Sequence, residues 1–164
     1  GAKTINESIQ ENIERFQEEE IQILWQTGKF YYKTIIGALA SKVTKTTKIH
    51  QFIYEMDLAY AAADVVISRA GALSVSELCL VKKPTILVPS PNVSEDHQTK
   101  NEKSIVDKNG AILVKETELN TFPEVVKMLL QDQEKQHKLS ENIKRLALPN
   151  ATSDIVNEIE KLII

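Results

Sequence analysis

The segment Ser68-Arg69-Ala70-Gly71-Ala72-Leu73-Ser74-Val75-Ser76-Glu77 concentrates groups suited to binding a phosphate and a sugar diol. It follows an apolar run and opens a helix. A helix start offers unpaired N–H groups and the positive end of the dipole, both of which suit an anion. Gly71 lets a backbone come close to a ligand. Glu77, about one turn further on, could accept two hydrogen bonds from a ribose diol, as acidic residues do in other nucleotide folds. Arg69, one of three arginines and the only one at a strand's carboxyl end, could clamp a phosphate. Plainer descriptions fit the same residues: Ser74-x-x-Glu77 as a capping box and Arg69 as a surface ion pair.

A second segment, Pro89-Ser90-Pro91-Asn92-Val93-Ser94-Glu95-Asp96-His97-Gln98-Thr99-Lys100-Asn101, stiffens a strand exit with two prolines and then runs polar into a helix. His97, Gln98 and Asn101 share one helical side by their spacing, and imidazole and amide groups suit sugar hydroxyls. An N-capped surface helix starting at Ser94 or Asp96 is the alternative. In His50-Gln51-Phe52-Ile53-Tyr54-Glu55-Met56, Phe52 and Ile53 end a strand and Met56 starts a helix. These side chains could pack on a planar base while a backbone group reads its edge; an ordinary core strand end is the other reading. Trp25-Gln26-Thr27-Gly28-Lys29 is a turn that could face the same cleft, or a simple left-handed turn at Gly28.

These loops need a scaffold of alternating strands and helices. Ile5, Ile9, Ile13 and Phe16 line one helical face, with Thr4 and Glu7 as a capping box. Strands follow at 21–25, within 47–53, at 65–67, 84–88 and 111–114. Helices lie between them over 30–40, 56–62, 73–81 and 95–108, and after them near 123–130, 133–146 and 152–163. The pattern predicts βαβ units in a parallel sheet with helices on both faces. In such a sheet, ligands bind beyond the carboxyl ends of the strands, where all four segments fall. The 164 residues fit one domain, with no repeat or low-complexity stretch. A doubly wound domain begins with a strand and a glycine-rich turn. This chain begins with a helix, so we expect a domain cut at its amino end. The loss of a first strand would expose a sheet edge and invite self-association.

Absences narrow the chemistry. The sequence has no G-x-G-x-x-G, no P-loop, no Asp-x-Asp and no G-x-S-x-G, so dinucleotide cofactors, P-loop ATP hydrolysis, a metal-held pyrophosphate and a serine nucleophile lack support. His50, His97 and His137 are too far apart in sequence to point to zinc. Cys79 is the only cysteine, which precludes an internal disulfide and fits a reducing compartment; it reads as a small core residue. A net charge of −3 argues against a broad nucleic-acid or anionic-membrane surface.

Taken in order, these segments resemble the MurG family of glycosyltransferases. The match runs through Gly1-Ala2-Lys3-Thr4-Ile5-Asn6, Trp25-Gln26-Thr27-Gly28-Lys29, Phe52-Ile53-x-x-Met56, Pro89-Ser90-Pro91-Asn92 and Asp96-His97-Gln98-x-x-Asn101. It is most specific over Ala63 to Glu77. The resemblance implies the carboxyl-side half of a GT-B enzyme, a Rossmann-like domain lacking its first strand. That half binds UDP-N-acetylglucosamine for transfer to undecaprenyl-pyrophosphoryl-MurNAc-pentapeptide in peptidoglycan synthesis. By the resemblance, Phe52, Ile53 and Met56 lie by the uracil and Gly71, Ala72, Leu73 and Ser74 hold the pyrophosphate. Glu77 binds the ribose, and His97, Gln98 and Asn101 meet the sugar. It also implies an inverting transfer with no cofactor and no donor-holding metal. The general base, the lipid I acceptor site and the membrane contact fall on an absent amino-terminal half, so no catalytic residue is expected here. The implied setting is the cytoplasmic face of the bacterial inner membrane, with this part soluble and inactive alone. Other readings are a separate donor-binding subunit of an N-glycan N-acetylglucosaminyltransferase, a UDP-sugar 2-epimerase fragment, and a non-catalytic binding module.

Overall fold

The structure, a computed structural model, describes residues 2–90 and 105–163. Its elements run α1 (Lys3–Glu11), α2 (Ile13–Glu18), β1 (Ile23–Gln26), α3 (Lys29–Leu39), β2 (Thr47–His50), α4 (Met56–Ala62), β3 (Val66–Ser68), α5 (Ala72–Val81), β4 (Thr85–Leu87) and β5 (Ile112–Leu113). A 3-10 helix (Glu116–Thr121) then leads to α6 (Phe122–Gln131), α7 (Gln133–Lys144) and α8 (Ala151–Lys161). The alternation of strand and helix is as the sequence predicts, and every described strand pairing is parallel.

The strands form two groups rather than one sheet. β1 pairs with β2, and β3, β4 and β5 pair in that order, with no ladder between β1 and β3. What joins the groups is a shared core. The apolar face of α1 and α2 (Ile5, Ile9, Ile13, Phe16) packs with Trp25 of β1, Ile86 and Val88 at β4, and Val114 beyond β5. Phe122 at the start of α6 meets Phe16 edge to face, ring centroids 6.3 Å apart.

β4 is wholly buried. Its successive side chains point to opposite faces, as a strand requires. Ile86 and Val88 enter the α1 core, whereas Leu87 enters a second cluster with Ala70, Leu78, Cys79, Ile105, Ala111 and Ile143. Helices therefore cover both faces of this strand group. Cys79 is a buried core residue, as expected. At Gly110, an added Cβ would lie 3.1 Å from Ile105 Cγ2 and 3.3 Å from Ile143 Cα, so the bare backbone lets helix and strand close up.

Local details differ from the sequence reading. The first helix breaks at Asn12, whose side-chain amide donates to the Ser8 carbonyl. Thr4 is not a cap: Ala2 holds that position, and Thr4 lies inside the first turn. Ser74 likewise lies inside α5, which Gly71 precedes without any side-chain cap. The Ser74–Glu77 capping box therefore does not form. β2 stops at His50, so Phe52 and Ile53 belong to the loop before α4. Gly28 has φ +81 but ψ 156, an extended mirror-image conformation rather than a left-handed helical turn.

Candidate functional site

The carboxyl ends of β1, β2, β3 and β4 lead into the four segments singled out above. On the β1–β2 side, the side-chain amide of Asn6, a buried residue on α1, ties the loop to the helix. It donates to the Thr27 carbonyl (3.0 Å) and accepts from the Trp25 indole N–H (2.9 Å). Thr27 N–H in turn continues the ladder to the His50 carbonyl at 2.9 Å. Gln26, the last residue of β1, accepts from the Ile53 backbone N–H with its side-chain oxygen at 2.8 Å. That bond replaces the strand pairing that Ile53 lacks and holds the Phe52–Tyr54 loop against β1. Phe52 is half exposed, and its ring stands edge to face with the exposed Tyr54, centroids 5.0 Å apart.

At the start of α5, the N–H groups of Ala72, Leu73 and Ser74 precede the first intrahelical bond, which Val75 makes to the Gly71 carbonyl at 2.8 Å. With no side-chain cap, this turn presents its donors and its positive dipole end outward. Gly71 has ordinary extended angles, and a Cβ there would meet only Ser74 Oγ, at 3.8 Å. Among the described residues, nothing demands glycine at this point. Glu77 is exposed on the same helix, one turn on. Beside it stands Tyr60 of α4, whose phenol is pushed up to about 12, first by burial and then by the Glu77 carboxylate.

Arg69, between β3 and α5, is engaged through both Nη atoms, while its buried Nε has no partner among the described residues. Its Nη1 donates to the carbonyls of Val88 (3.1 Å) and Pro89 (2.9 Å). Its Nη2 lies 2.5 Å from both Thr4 Oγ1 and Glu116 Oε1, and the Thr4 hydroxyl donates to the same carboxylate oxygen. Only 18% of the Arg69 side chain and 16% of the Glu116 side chain is exposed, so this pair is largely sheltered from solvent screening. Burial pushes the Glu116 carboxyl up. The Thr4 hydroxyl and the Arg69 guanidinium outweigh it, and the net position is below the usual carboxylate range.

The structure thus places Phe52 and Ile53 in the loop after β2, Met56 at the start of α4, Arg69 and Gly71 in the loop after β3, and Ala72, Leu73, Ser74 and Glu77 in α5. His97, Gln98 and Asn101 lie outside the described residues, as do Pro91 and Asn92. Sequence reasoning missed Tyr60 and Glu116, read Thr4 only as a cap, and placed Asn6 and Gln26 inside singled-out segments without giving either side chain a role. Glu116 and Gln26 had a usable signal, since each sits where a strand ends; Thr4, Asn6 and Tyr60 act across helices and had none.

Comparison with known proteins gives a consistent result. The sequence profile described as "Glycosyltransferase family 28 C-terminal domain" matches residues 1–159. A Flavobacterium psychrophilum protein named UDP-N-acetylglucosamine--N-acetylmuramyl-(pentapeptide) pyrophosphoryl-undecaprenol N-acetylglucosamine transferase is 54% identical over 99% of this chain and 44% of its own length. A Cytophaga hutchinsonii protein of the same name is 50% identical over 99% of this chain and 43% of its own length. The crystal structure of Acinetobacter baumannii MurG superimposes with a TM-score of 0.79 at 28% identity, covering 98% of this chain and 47% of that one. The spinosyn forosaminyltransferase SpnP, at 14% identity and a TM-score of 0.58 over 74% of this chain and 31% of its own, shares the fold. The chain spans less than half the length of the curated relatives it matches.

Proposed function

The chain belongs to the glycosyltransferase family 28 C-terminal domains, and from that premise we propose that it binds the nucleotide-sugar donor of a peptidoglycan transferase. The donor is UDP-N-acetylglucosamine, and the acceptor of the whole enzyme is the lipid-linked muramyl pentapeptide named in its relatives. The observation that carries this reading is the uncapped start of α5, with Gly71 open to close approach and Glu77 exposed one turn on.

Each part has a task in the reaction. The donors at Ala72, Leu73 and Ser74 receive the pyrophosphate, and they become more favourable as charge builds on the departing UDP. Glu77 accepts from the ribose hydroxyls. Phe52, Ile53 and Met56 flank the base, and His97, Gln98 and Asn101 meet the sugar. The acceptor hydroxyl attacks the anomeric carbon as the bond to UDP breaks, inverting that centre. The base that takes the hydroxyl proton, the lipid acceptor site and the membrane contact at the inner face of the cytoplasmic membrane all belong to the rest of the enzyme. Among the described residues, no helix is long and apolar enough to cross a membrane.

A titration of UDP, UDP-N-acetylglucosamine and ADP into the chain, followed by amide chemical shifts, tests this. The expected result is shifts at residues 52–56 and 71–77 for the uridine nucleotides and none for ADP. Glu77→Ala should weaken UDP by roughly tenfold or more, the scale of hydrogen bonds to a charged group. Equal responses to UDP and ADP would refute the donor assignment.

A further inference from the structure

Arg69 looks like a phosphate clamp by residue type and place, but its surroundings assign it another task. We infer that Arg69, with Glu116 and Thr4, is a positioning device that fixes the turn leading into α5 against three neighbouring segments. This inference rests on the donor-binding reading and adds to it two residues, Thr4 and Glu116, to which that reading gives no ligand contact.

The geometry supports this directly. Arg69 lies two residues before Gly71, so the placement of its backbone sets the start of α5. Its guanidinium spans the exit of β4 through the Val88 and Pro89 carbonyls, the first turn of α1 through Thr4, and the segment after β5 through Glu116. The planar fork meets four oxygens on three segments, which a lysine ammonium at the end of a flexible stem cannot reproduce. Both Nη atoms are so occupied, and the one donor left, the Nε–H, is buried and has no partner among the described residues, so the two groups that could fork a phosphate are already committed. Freeing it would break a shielded ion pair, and truncating one member of such a pair strands the other. Thr4 closes the arrangement by bonding both charged partners at once.

The two tasks predict opposite signs for one substitution. If Arg69 clamps phosphate, Glu116 competes for it, and Glu116→Gln should release the guanidinium and tighten UDP. If Arg69 positions the α5 start, Glu116→Gln removes the counter-charge and loosens the turn. UDP should then bind roughly threefold to tenfold more weakly, as expected for one hydrogen-bonded charged contact.

The experiment measures UDP dissociation constants by calorimetry for the chain and for Glu116→Gln, Arg69→Lys, Arg69→Met and the Arg69→Met/Glu116→Gln pair, each with its melting temperature. We expect weaker UDP binding in both Glu116→Gln and Arg69→Lys. The double variant should be no weaker than Arg69→Met alone, because the two residues act as one unit. Tighter binding in Glu116→Gln, or near-normal binding in Arg69→Lys, overturns the inference in favour of a direct clamp. A lowered melting temperature with unchanged UDP affinity overturns it in favour of a purely structural pair. If Arg69→Met does not fold, the sign of the Glu116→Gln effect decides alone. If the unsubstituted chain fails to bind UDP, the donor assignment itself falls, and this inference with it.

Discussion

Among single residues, Tyr60 shows how an ionisable neighbour leaves a trace in stability. Its phenol is pushed from 10.0 to about 12 by burial and by Glu77. The unfolded chain therefore loses this proton before the folded one does. Stability linked to Tyr60 is complete below pH 10 and declines as pH rises towards 12. Denaturant unfolding across that interval should show the decline, and Tyr60→Phe should remove the Tyr60 share of it. In Glu77→Gln the decline should still begin near pH 10 but end at lower pH and be smaller, because part of the upward push on the folded phenol is gone. A decline unchanged in Tyr60→Phe would mean that lysines, not Tyr60, cause it. Glu77 itself was legible in the sequence by its distance from Gly71. Its capping-box alternative fails for a simple reason: Gly71, not Ser74, occupies the cap. The same slip at the other end of the chain placed Thr4 at a cap and hid its link to Arg69. A local motif cannot show that its oxygen is claimed by a residue 65 positions away.

The elements were legible wherever apolar periodicity was long. α4 begins and ends where the spacing predicts, and α3 and α5 fall within a residue. The 3-10 helix at Glu116–Thr121 was not legible, because a short polar turn has no hydrophobic period. Nor was the division of the strands into two groups, since strand pairing is non-local and each strand here is four residues or fewer. Among the described glycines the most crowded is Gly110, where backbone and side-chain atoms of residues 105 and 143 already lie within 3.3 Å of a Cβ position. Gly110→Ala should therefore destabilise the chain by about 1–3 kcal/mol, as overpacking does. Thermal unfolding measures this. An unchanged or raised melting temperature would mean that α7 gives way at no cost.

For the molecule as a whole, burial is unevenly distributed. Most helices commit a face to one of the two cores, but α8 buries no residue, and Ile155, Val156, Ile159, Leu162 and Ile163 are all exposed. The sequence placed a helix near 152–163 but did not show that, among the described residues, nothing covers it. Deleting residues 151–164 should consequently shift the melting temperature by no more than about 2 °C, well under the cost of losing a packed helix. A collapse of the transition would show that α8 contributes to the core in solution. The overall class, a parallel α/β domain, was legible because alternation of long periodic segments dictates it.

The first turn of α1 sits at the seam between the two strand groups. Thr4 bonds into the Arg69 side of the site, and Asn6, two residues on, bonds into the Trp25–Thr27 side. A single helical turn is thus a clasp for both rims of the cleft. Fraying of that turn would release both rims together, so the face proposed to receive the donor opens as one cooperative unit and not loop by loop.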